Sequence, residues 1–347
     1  MKVLVTGGAG YIGSHTVRCL LDEGHEVVVF DNLSHGHFEA IDERAVFLRG
    51  HTRDVDHLVD VIQTYEIEAV MHFAAYIEVG ESVLDPGKYY ENNVACTVNL
   101  LKAMVQAGVR KIVFSSTAAV YGHPLRFPIE ESDPCAPINP YGRTKWMSEM
   151  MIQDYCRAHK IGYATLRYFN VAGAWPDGEM GEDHQPETHQ IPRILQAALH
   201  PENPVRIYGT NYPTVDGTCI RDYVHVVDIA HAHRLALLNV TLGEGHVFNL
   251  GSEAGFSVRQ VIAACEQVTG RKLNVIEERR RPGDPAVLIA SSEKIRKLLK
   301  WKRLYPSIQE IIEHAWTWHS RYPQGYRSKV EKAPPVDVVL ESSSLWL

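Results

Sequence analysis

The sequence predicts an α/β fold in which a doubly wound parallel sheet is covered by helices on both faces. Two observations support this prediction. Along the first 170 residues, short apolar segments rich in β-branched residues alternate with longer amphipathic segments, a rhythm typical of parallel strands joined by crossover helices. The first apolar segment, Val3–Thr6, also runs directly into a glycine-rich turn, which is a frequent start of such a sheet.

Each element follows from its residue pattern, taken in chain order. Tyr11–Asp22 is predicted to be a helix that ends before Gly24, and the β-branched segment Glu26–Phe30 completes a strand–helix–strand unit. The same rhythm predicts strand Val46–Arg49, helix Val55–Tyr65, strand Ala69–Phe73, helix Tyr89–Ala107, strand Lys111–Ser115, helix Tyr141–His159 and strand Tyr163–Tyr168.

The glycine-rich turn, Gly7–Gly13, contains the pattern G-x-G-x-x-G. Its backbone lacks side chains that would keep a diphosphate away, and the following helix offers unpaired N–H groups and the positive end of its dipole. Asp31 ends the second strand, where an acid bonds the ribose hydroxyls of adenosine and repels a 2′-phosphate. Taken alone, the turn could be merely structural and Asp31 could be a solvated acid. The combination of the glycine turn with Asp31 favours a dinucleotide site, for NAD rather than NADP.

A second signal is the pair Tyr141 and Lys145, which share one face of a predicted helix. Free tyrosine is a poor base at neutral pH, so we expect the ammonium and a cationic nicotinamide ring to lower the pKa of Tyr141. Ser115 and Thr117 end a strand at the carboxyl edge of the sheet, where ligands collect. The Thr117 hydroxyl is expected to bond the reacting oxygen. Because Tyr-x-x-x-Lys is common by chance, only the combination predicts hydride and proton transfer on a nicotinamide cofactor.

Beyond Phe169 the rhythm of strands and helices breaks into segments rich in Gly, Pro and acids. These segments predict a smaller lobe over the mouth of the sheet, and Val247–Leu250 is expected to rejoin the sheet. We therefore predict a Rossmann-like sheet with a smaller, interwoven C-terminal substrate lobe. The domains are residues 1–169 plus roughly 222–250 for NAD binding, residues 170–221 and 251–327 for substrate binding, and a tail at 328–347.

Composition excludes several classes of protein. The 347-residue chain is 45% hydrophobic and 22% charged, which is ordinary for a globular protein, and its net charge of -7 argues against a nucleic-acid partner. It has no apolar run of the roughly 18 residues that a membrane span needs, and its N-terminus is a strand rather than a signal peptide. Six scattered cysteines fit a reducing cytoplasm better than a zinc site or a redox dithiol.

The order of glycine turn, acid, Ser/Thr hydroxyl and Tyr-x-x-x-Lys resembles the extended short-chain dehydrogenase/reductase family. Further segments are similar to the nucleotide-sugar epimerases of that family, and the likeness runs from Met1 to about Tyr326. These segments are His72–Ala75, Val79–Ser82, Tyr89–Asn93, Val113–Gly122, Arg167–Asn170, Gly178–Glu182, Tyr208–Asp228 and Arg281–Asp284. The resemblance implies NAD-dependent interconversion of UDP-glucose and UDP-galactose through hydride loss at C4, rotation of a 4-keto sugar and hydride return.

The resemblance also implies residue roles. The catalytic residues would be Tyr141 as the base, Lys145, which would also bond the nicotinamide ribose, and Thr117, which would contact the sugar 4-hydroxyl. The cofactor would be bound by Gly7, Gly10, Tyr11, Ile12, Gly13, Asp31, Asn32, His51, Thr52, Phe73, Ala74, Ala75, Asn93, Ser115, Tyr141, Lys145 and Phe169. The UDP-sugar would be bound by Thr117, Tyr141, Asn170, His189, Tyr208, Arg221, Arg281, Asp284 and Leu288.

Several alternatives concern the reaction. A related dehydratase group carries Asp-Glu after the Ser/Thr, where this chain has Ala118 and Ala119, and alanine cannot transfer protons. Dehydration is therefore disfavoured. An epimerase acting also or mainly on UDP-GlcNAc, UDP-GalNAc or another UDP-sugar stays open, because Leu288 stands where some members carry a tyrosine that limits the sugar pocket. A non-catalytic NAD-binding protein is a lesser alternative.

The chain also departs from the family pattern. His51 stands where Asp is common, although a neutral imidazole can still accept a bond from adenine. Ile77 stands where some members of the family have a lysine, and Gln190 stands where a leucine is frequent. We predict no metal at His184 and His189, because no acidic or thiol partners are evident. The family resemblance implies a homodimer that packs the two long helices Tyr89–Ala107 and Tyr141–His159 into a four-helix interface.

Overall fold

The structure, a computed structural model, describes residues 1–281 and 284–332. Its strands are β1 Lys2–Thr6, β2 Glu26–Asp31, β3 Val46–Arg49, β4 Ala69–His72, β5 Lys111–Thr117, β6 Gly162–Tyr168, β7 Asn170–Ala172, β8 Val205–Tyr208, β9 Ile220–His225, β10 Gly245–Leu250, β11 Gly255–Ser257, β12 Val275–Glu278 and β13 Val287–Leu288. Seven of them form one parallel sheet in the order β10-β6-β5-β4-β1-β2-β3. The predicted doubly wound sheet is thereby confirmed, including the return of β10 to its edge.

The helices cover both faces of this sheet and build the smaller lobe. They are α1 Tyr11–Asp22, α2 Val55–Thr64, α3 Val79–Leu84, α4 Pro86–Tyr89, α5 Cys96–Ala107, α6 Pro140–His159, α7 Gln190–Leu199, α8 Val226–Asn239, α9 Val258–Thr269, α10 Glu293–Leu299, α11 Ile308–Arg321 and α12 Tyr326–Lys332. The predicted bounds of the elements up to residue 168 hold to within two residues, with one exception. The helix predicted at Tyr89–Ala107 is interrupted by a π-helical segment, Tyr90–Ala95.

Alternating side chains of the central strands create two cores, as the period of a buried strand requires. On β1, Val3 and Val5 lie in a cluster with residues of α1 and α8, whereas Leu4 lies in a second cluster with residues of α2, α5 and α6. Burial on both faces explains why the strands read as nearly continuous apolar runs. It also leaves the carboxyl ends of the strands as the place where polar loops gather.

The smaller lobe begins where the chain leaves the large sheet at Phe169. There β7 pairs in parallel with β9, and β9 also pairs with β11 and β13. A third cluster holds this lobe together, with apolar residues of α7, α9, α11 and the β8 strand. Residues 222–225, grouped in the sequence with the large domain, lie in β9 of the smaller sheet, and Ile295 and Trp301 pack in a core of the large sheet.

The predicted tail starts within a helix. Residues 326–332 form α12, whose Tyr326 packs with Trp318 and Tyr322, and residues 333–347 lie outside the described part of the chain, as do Pro282 and Gly283. In the described residues, no helix is long and apolar enough to cross a membrane.

Candidate functional site

A cavity of about 820 Å³ lies at the carboxyl ends of the parallel strands, between the large sheet and the smaller lobe. It is lined by most of the predicted site residues: Gly7, Gly10, Tyr11, Ile12, Gly13, Asp31, Asn32, His51, Thr52, Phe73, Ala74, Ala75, Ser115, Thr117, Tyr141, Lys145, Phe169, Asn170, His189, Arg221, Asp284 and Leu288. Tyr208 and Arg281 line a smaller pocket of about 200 Å³ that shares Asn170, His189 and Arg221 with the cavity. The structure thus brings together residues that are distant in sequence.

The glycine turn has the shape that a dinucleotide needs. Gly7 has φ +76°, a conformation that favours glycine, and a Cβ there would collide with the backbone of Ala74. A Cβ on Gly13 would collide with the Gly7 carbonyl oxygen. Only hydrogen atoms fit at these two positions, and Gly10–Gly13 at the start of α1 line the cavity. The cradle therefore fits a diphosphate.

Asp31 is buried and holds the turn against the end of β2. Its Oδ2 accepts from the Ala9 N–H at 3.0 Å and its Oδ1 from the Leu33 N–H at 2.9 Å, while burial raises the pKa of its carboxyl. The carboxylate lines the cavity, as an acid that bonds adenosine ribose must. The same charge disfavours a 2′-phosphate.

Two predicted cofactor residues have other contacts. Asn93 does not line the cavity, because its buried amide accepts from the Tyr76 N–H at 2.9 Å and donates to the Tyr76 carbonyl at 3.0 Å. It fixes the loop after β4, whose residues line the cavity. His51 does line the cavity, and its Nδ1 accepts from the Arg53 N–H at 3.1 Å. Burial and the Arg53 charge lower the pKa of His51, which favours the neutral imidazole that adenine would need.

Tyr141 and Lys145 lie on one buried face of α6, with Tyr141 9% and Lys145 3% exposed. The helix begins with Pro140, and Asn139 caps it by accepting from the Gly142 N–H at 2.8 Å. This cap fixes the first turn of α6 at the cavity wall. Thr117 lies near enough to lower the pKa of the Tyr141 phenol, and both residues line the cavity, as expected for this pair of hydroxyls.

The protein groups alone do not lower the pKa of Tyr141 as expected from Lys145, and the share expected from the nicotinamide ring stays a prediction. Burial raises the pKa of Tyr141 to about 12, and the nearby Thr117 hydroxyl only partly opposes this. Lys145 is itself desolvated, which lowers the pKa of its amine to about 7. Its Nζ donates to the Ser115 carbonyl at 2.9 Å and lies 5.0 Å from the centre of the Phe114 ring. A buried lysine without a carboxylate in contact supplies less positive charge than the sequence suggested.

On the opposite wall, the smaller lobe presents guanidinium groups. Arg221 donates to the carbonyls of Ile220 and Pro285 at 2.9 Å each, which holds its side chain in place. Asp284 lies 3.8 Å from Arg221 and accepts from the Arg281 Nε at 2.9 Å, while Arg281 stacks over the Tyr208 ring at 4.9 Å. Two planar cations beside an apolar ring suit a nucleoside diphosphate.

Among the cavity residues that the sequence prediction did not assign are Glu182 and His184. With Glu187 and His189 they form a cluster whose nitrogen and carboxylate oxygen atoms lie within 4.8 Å of one another. The premise that no acids accompany the two histidines is therefore wrong. The signal was in the sequence as two Glu-x-His triplets, 182–184 and 187–189. We name these four residues the Glu–His cluster.

Comparison with known proteins agrees with this geometry. The model of the NAD dependent epimerase/dehydratase family matches residues 3–251, and the UDP-glucose 4-epimerase of Halalkalibacterium halodurans is 53% identical over 95% of this chain and 98% of that protein. A crystal structure of a UDP-glucose 4-epimerase has a TM-score of 0.91 at 47% identity, covering 94% of this chain and 99% of the other. The Bifidobacterium longum UDP-glucose 4-epimerase, solved with NAD+ and UDP, has a TM-score of 0.89 at 36% identity, covering 94% and 100%. The chain belongs to the NAD dependent epimerase/dehydratase family.

Proposed function

We propose that the protein is an NAD-dependent isomerase that interconverts UDP-glucose and UDP-galactose at C4 of the sugar. The observation that carries this proposal is one cavity lined by Tyr141 and Thr117, by the glycine cradle and by Arg221. One cavity therefore unites a proton-transfer pair, a dinucleotide cradle and cations for a second nucleotide. The relatives named UDP-glucose 4-epimerase support the same reaction.

NAD, when bound, supplies the hydride acceptor and a cationic ring that favours the Tyr141 phenolate. Its diphosphate would be held by the Gly7–Gly13 cradle and its adenosine ribose by Asp31. His51 and Thr52 would face the adenine, and Lys145 the nicotinamide ribose. Asn93 would act indirectly, by holding the loop that carries Ala74 and Ala75.

Tyr141 would take the proton from the sugar O4 and return it after the ring has turned over. Thr117 can share that proton, because its hydroxyl lies near enough to the phenol to lower the pKa of Tyr141. Lys145 would favour the phenolate whenever its amine is protonated, and its bond to the Ser115 carbonyl keeps the Nζ beside the strand end. Ala118 and Ala119 line the same cavity without any proton-transfer group, which supports epimerisation over dehydration.

The UDP portion must stay bound while the sugar rotates. Asn170, His189, Tyr208, Arg221, Arg281 and Asp284 are the residues that would hold it. Their side chains lie in the smaller lobe, where fixed guanidinium groups face the cavity. Leu288 offers an apolar wall without hydrogen bonds for the sugar, which permits the ring to turn.

Incubation of the purified protein with UDP-galactose tests the proposal. We expect UDP-glucose to accumulate without added NAD, and denaturation of the protein to release NAD rather than NADP. Formation of a 4-keto-6-deoxy sugar instead would show a dehydratase, and bound NAD without turnover would show a non-catalytic binding protein. Either result would overturn the proposal.

A second candidate substrate is UDP-GlcNAc, favoured by Leu288 in the cavity wall. A leucine leaves more room than a tyrosine for an N-acetyl group. We expect turnover of UDP-GlcNAc that the variant Leu288→Tyr selectively loses, while it keeps turnover of UDP-galactose. Absence of UDP-GlcNAc turnover in the unmodified protein rejects this candidate.

The proposed assembly is a homodimer formed through α5 and α6. Met150 on α6 is an apolar side chain that is 39% exposed, which supports a covered face. Light scattering should give twice the chain mass, and Met150→Glu should shift the population to monomers. The free state of all six cysteines supports a reducing, cytoplasmic location.

A further inference from the structure

The Glu–His cluster joins two buried carboxylates to two imidazoles at the wall of the cavity. Glu182 Oε1 lies 3.1 Å from His184 Nδ1 and 2.9 Å from His189 Nδ1. Glu187 Oε1 lies 3.0 Å from His189 Nδ1 and also accepts from the His189 backbone N–H at 2.7 Å. One ring nitrogen of His189 is therefore shared between two carboxylates.

The burial of these carboxylates fixes the charge of the cluster. The side chains of Glu182 and Glu187 are 3% and 4% exposed, and in the described part of the chain their ion pairs come from His184 and His189. Two neighbouring buried carboxylates without cations would be strongly unfavourable, so both imidazoles are protonated. In agreement, the carboxylates raise the pKa of His184 to about 9 and that of His189 well above its usual value.

Groups from other elements also face this cluster. Tyr11 of α1 lies edge-on to His184 at 6.2 Å between ring centres, and the charges of Glu182 and Glu187 act on it and on His319 of α11. Burial raises the pKa of Tyr11 and lowers that of His319, so both are neutral at physiological pH. The Arg221 side chain lines the same cavity and pairs with Asp284. The charges of Glu182 and Glu187 are thus neutralised by His184 and His189.

Unlike the carboxylates, His189 reaches the ligand space. Its side chain is 42% exposed and lines both the cavity and the smaller pocket. Since Nδ1 is committed to the carboxylates, the other ring N–H is the donor left for a ligand. We propose that Glu182, Glu187 and His184 are positioning residues that hold His189 as a cation for the diphosphate of the UDP-sugar. This proposal rests on the proposed function and adds the origin of that charge.

Histidine and carboxylate groups in one place can also bind a transition-metal ion. The contacts favour an ion-pair cluster, because the three shortest, at 2.9 to 3.1 Å, each join an imidazole N–H to a carboxylate oxygen at ordinary hydrogen-bond length. Protons account for every one of them. A metal ion at this cluster would instead make UDP binding sensitive to a chelator, which the experiment below tests.

The test is calorimetric titration of the NAD-loaded protein with UDP, for the unmodified chain and for His189→Asn, which keeps an N–H donor but cannot carry charge. We expect the variant to bind UDP about 10- to 100-fold more weakly, since hydrogen bonds to charged groups are the stronger class, with its NAD content retained. The matched controls are His200→Asn and Glu202→Gln, an exposed His–Glu pair outside both cavities. They should bind UDP as the unmodified protein does.

A pH series separates charge from mere support. UDP affinity should persist through neutral pH and fall as pH rises through the raised pKa of His189, and in Glu187→Gln that fall should move to lower pH. Equal UDP affinity of His189→Asn and the unmodified protein would overturn the proposal, as would an unmoved pH profile in Glu187→Gln. So would loss of UDP binding on chelator treatment with recovery on addition of Zn2+. Failure of the unmodified protein to bind UDP would instead reject the proposed function.

Discussion

Two regions of the cavity wall hold buried basic groups whose pKa values move in opposite directions. On α6, Lys145 has its pKa lowered from 10.5 to about 7, whereas in the loop before α7, His184 has its pKa raised from 6.5 to about 9. Both side chains are desolvated. The difference is that His184 touches carboxylates, while Lys145 donates to the neutral Ser115 carbonyl.

The comparison shows that burial alone removes a charge and that a buried partner restores it. It also suggests a division of labour. A lysine near neutrality can respond to the charge beside it during the reaction, whereas the charged Glu–His cluster is fixed. Chemistry would then be located at α6 and nucleotide retention at the loop.

The largest effect should come from Tyr141→Phe, which removes the proposed base and leaves the nucleotide contacts. We expect kcat for UDP-galactose to fall by about 10²- to 10⁴-fold, the usual contribution of a positioned acid–base group, while UDP affinity stays unchanged. Single-turnover assays and titration with UDP measure the two quantities. This outcome would sharpen the separation between chemistry and retention.

Tyr155→Phe is the matched control, since Tyr155 lies on the same helix and packs at the edge of a core cluster. It should leave kcat within about twofold, because Tyr155 is not among the residues that line the cavity. An undiminished kcat in Tyr141→Phe, or an equal loss in both variants, would contradict the assignment of Tyr141.

The second effect concerns Glu149, the carboxylate whose charge partly supports the Lys145 ammonium. Glu149 is 1% exposed and pairs with Arg167, with a 2.5 Å contact from Nη2 to Oε2. Glu149→Gln leaves that guanidinium buried without its anion, so unfolding free energy should drop by about 3–5 kcal/mol. Denaturant titration measures this.

Asp154→Asn serves as the control on the same helix, because Asp154 and Arg157 form an ion pair that is 72% and 74% exposed. Exposed pairs contribute little, so the control should unfold like the unmodified protein. Equal stability of Glu149→Gln and the control would show that the buried pair does not matter to α6, and the contrast between the two regions would lose one of its physical causes.

The bounds of the elements in the large sheet could be predicted from the sequence, whereas the contacts of the Glu–His cluster could not, for one physical reason. Segments such as Val3–Thr6 and Tyr11–Asp22 carry their structure in local periodicity and in the adjacent glycine turn, so their bounds were accurate. The direction of a pKa shift depends on what surrounds a group in three dimensions. Tyr141 was predicted to have a lowered pKa because of the Lys145 ammonium and the nicotinamide ring, but the desolvation of Tyr141 and Lys145 is a property of the packed cavity.

The smaller lobe gave the least reliable assignments. Residues 222–225 pair with β7 and β11 across long sequence separations, which no local pattern encodes. The role of Asn93 was likewise hidden, because its contacts with Tyr76 arise only once the π-helical segment has formed. Most of the predicted site residues still line the cavity, since the family motifs mark them.

The opposite pKa shifts predict opposite effects of pH on stability. The lowered pKa of Lys145 means that the folded protein holds fewer protons than the unfolded chain between about pH 7 and 10.5, so its contribution to stability rises with pH. The raised pKa of His184 gives stability that is full below about pH 6.5 and lost as pH rises through 9. Between about pH 7 and 9, each contribution should change by about 2–3 kcal/mol.

Thermal unfolding of the nucleotide-free protein, Lys145→Met and His184→Gln over this range measures the effect. The stability of the unmodified protein should rise with pH relative to Lys145→Met and fall relative to His184→Gln. Subtracting each variant removes the contributions of all other titrating groups. If the two stability differences changed with pH in the same direction, Lys145 and His184 would not have opposite pKa shifts.

The smallest effect concerns a neutral group beside the cluster. Gln190 accepts from the Tyr223 hydroxyl at 2.7 Å, but its buried Nε2 has no hydrogen-bond partner among the described residues. Gln190→Leu removes one unpaired donor and leaves the Tyr223 hydroxyl unpaired instead, so its stability should stay within about 1 kcal/mol. The double variant with Tyr223→Phe removes both polar groups and should be about 1–2 kcal/mol more stable than Gln190→Leu.

Denaturant titration measures the unfolding free energy of both variants. A buried neutral group can be replaced together with its partner at little cost, whereas the charged Glu–His cluster cannot. The result therefore indicates how much of the contrast between the two regions is due to charge. A double variant no more stable than Gln190→Leu would mean that the Gln190 amide and the Tyr223 hydroxyl both have hydrogen-bond partners. This neutral pair would then contribute more to stability than we expect.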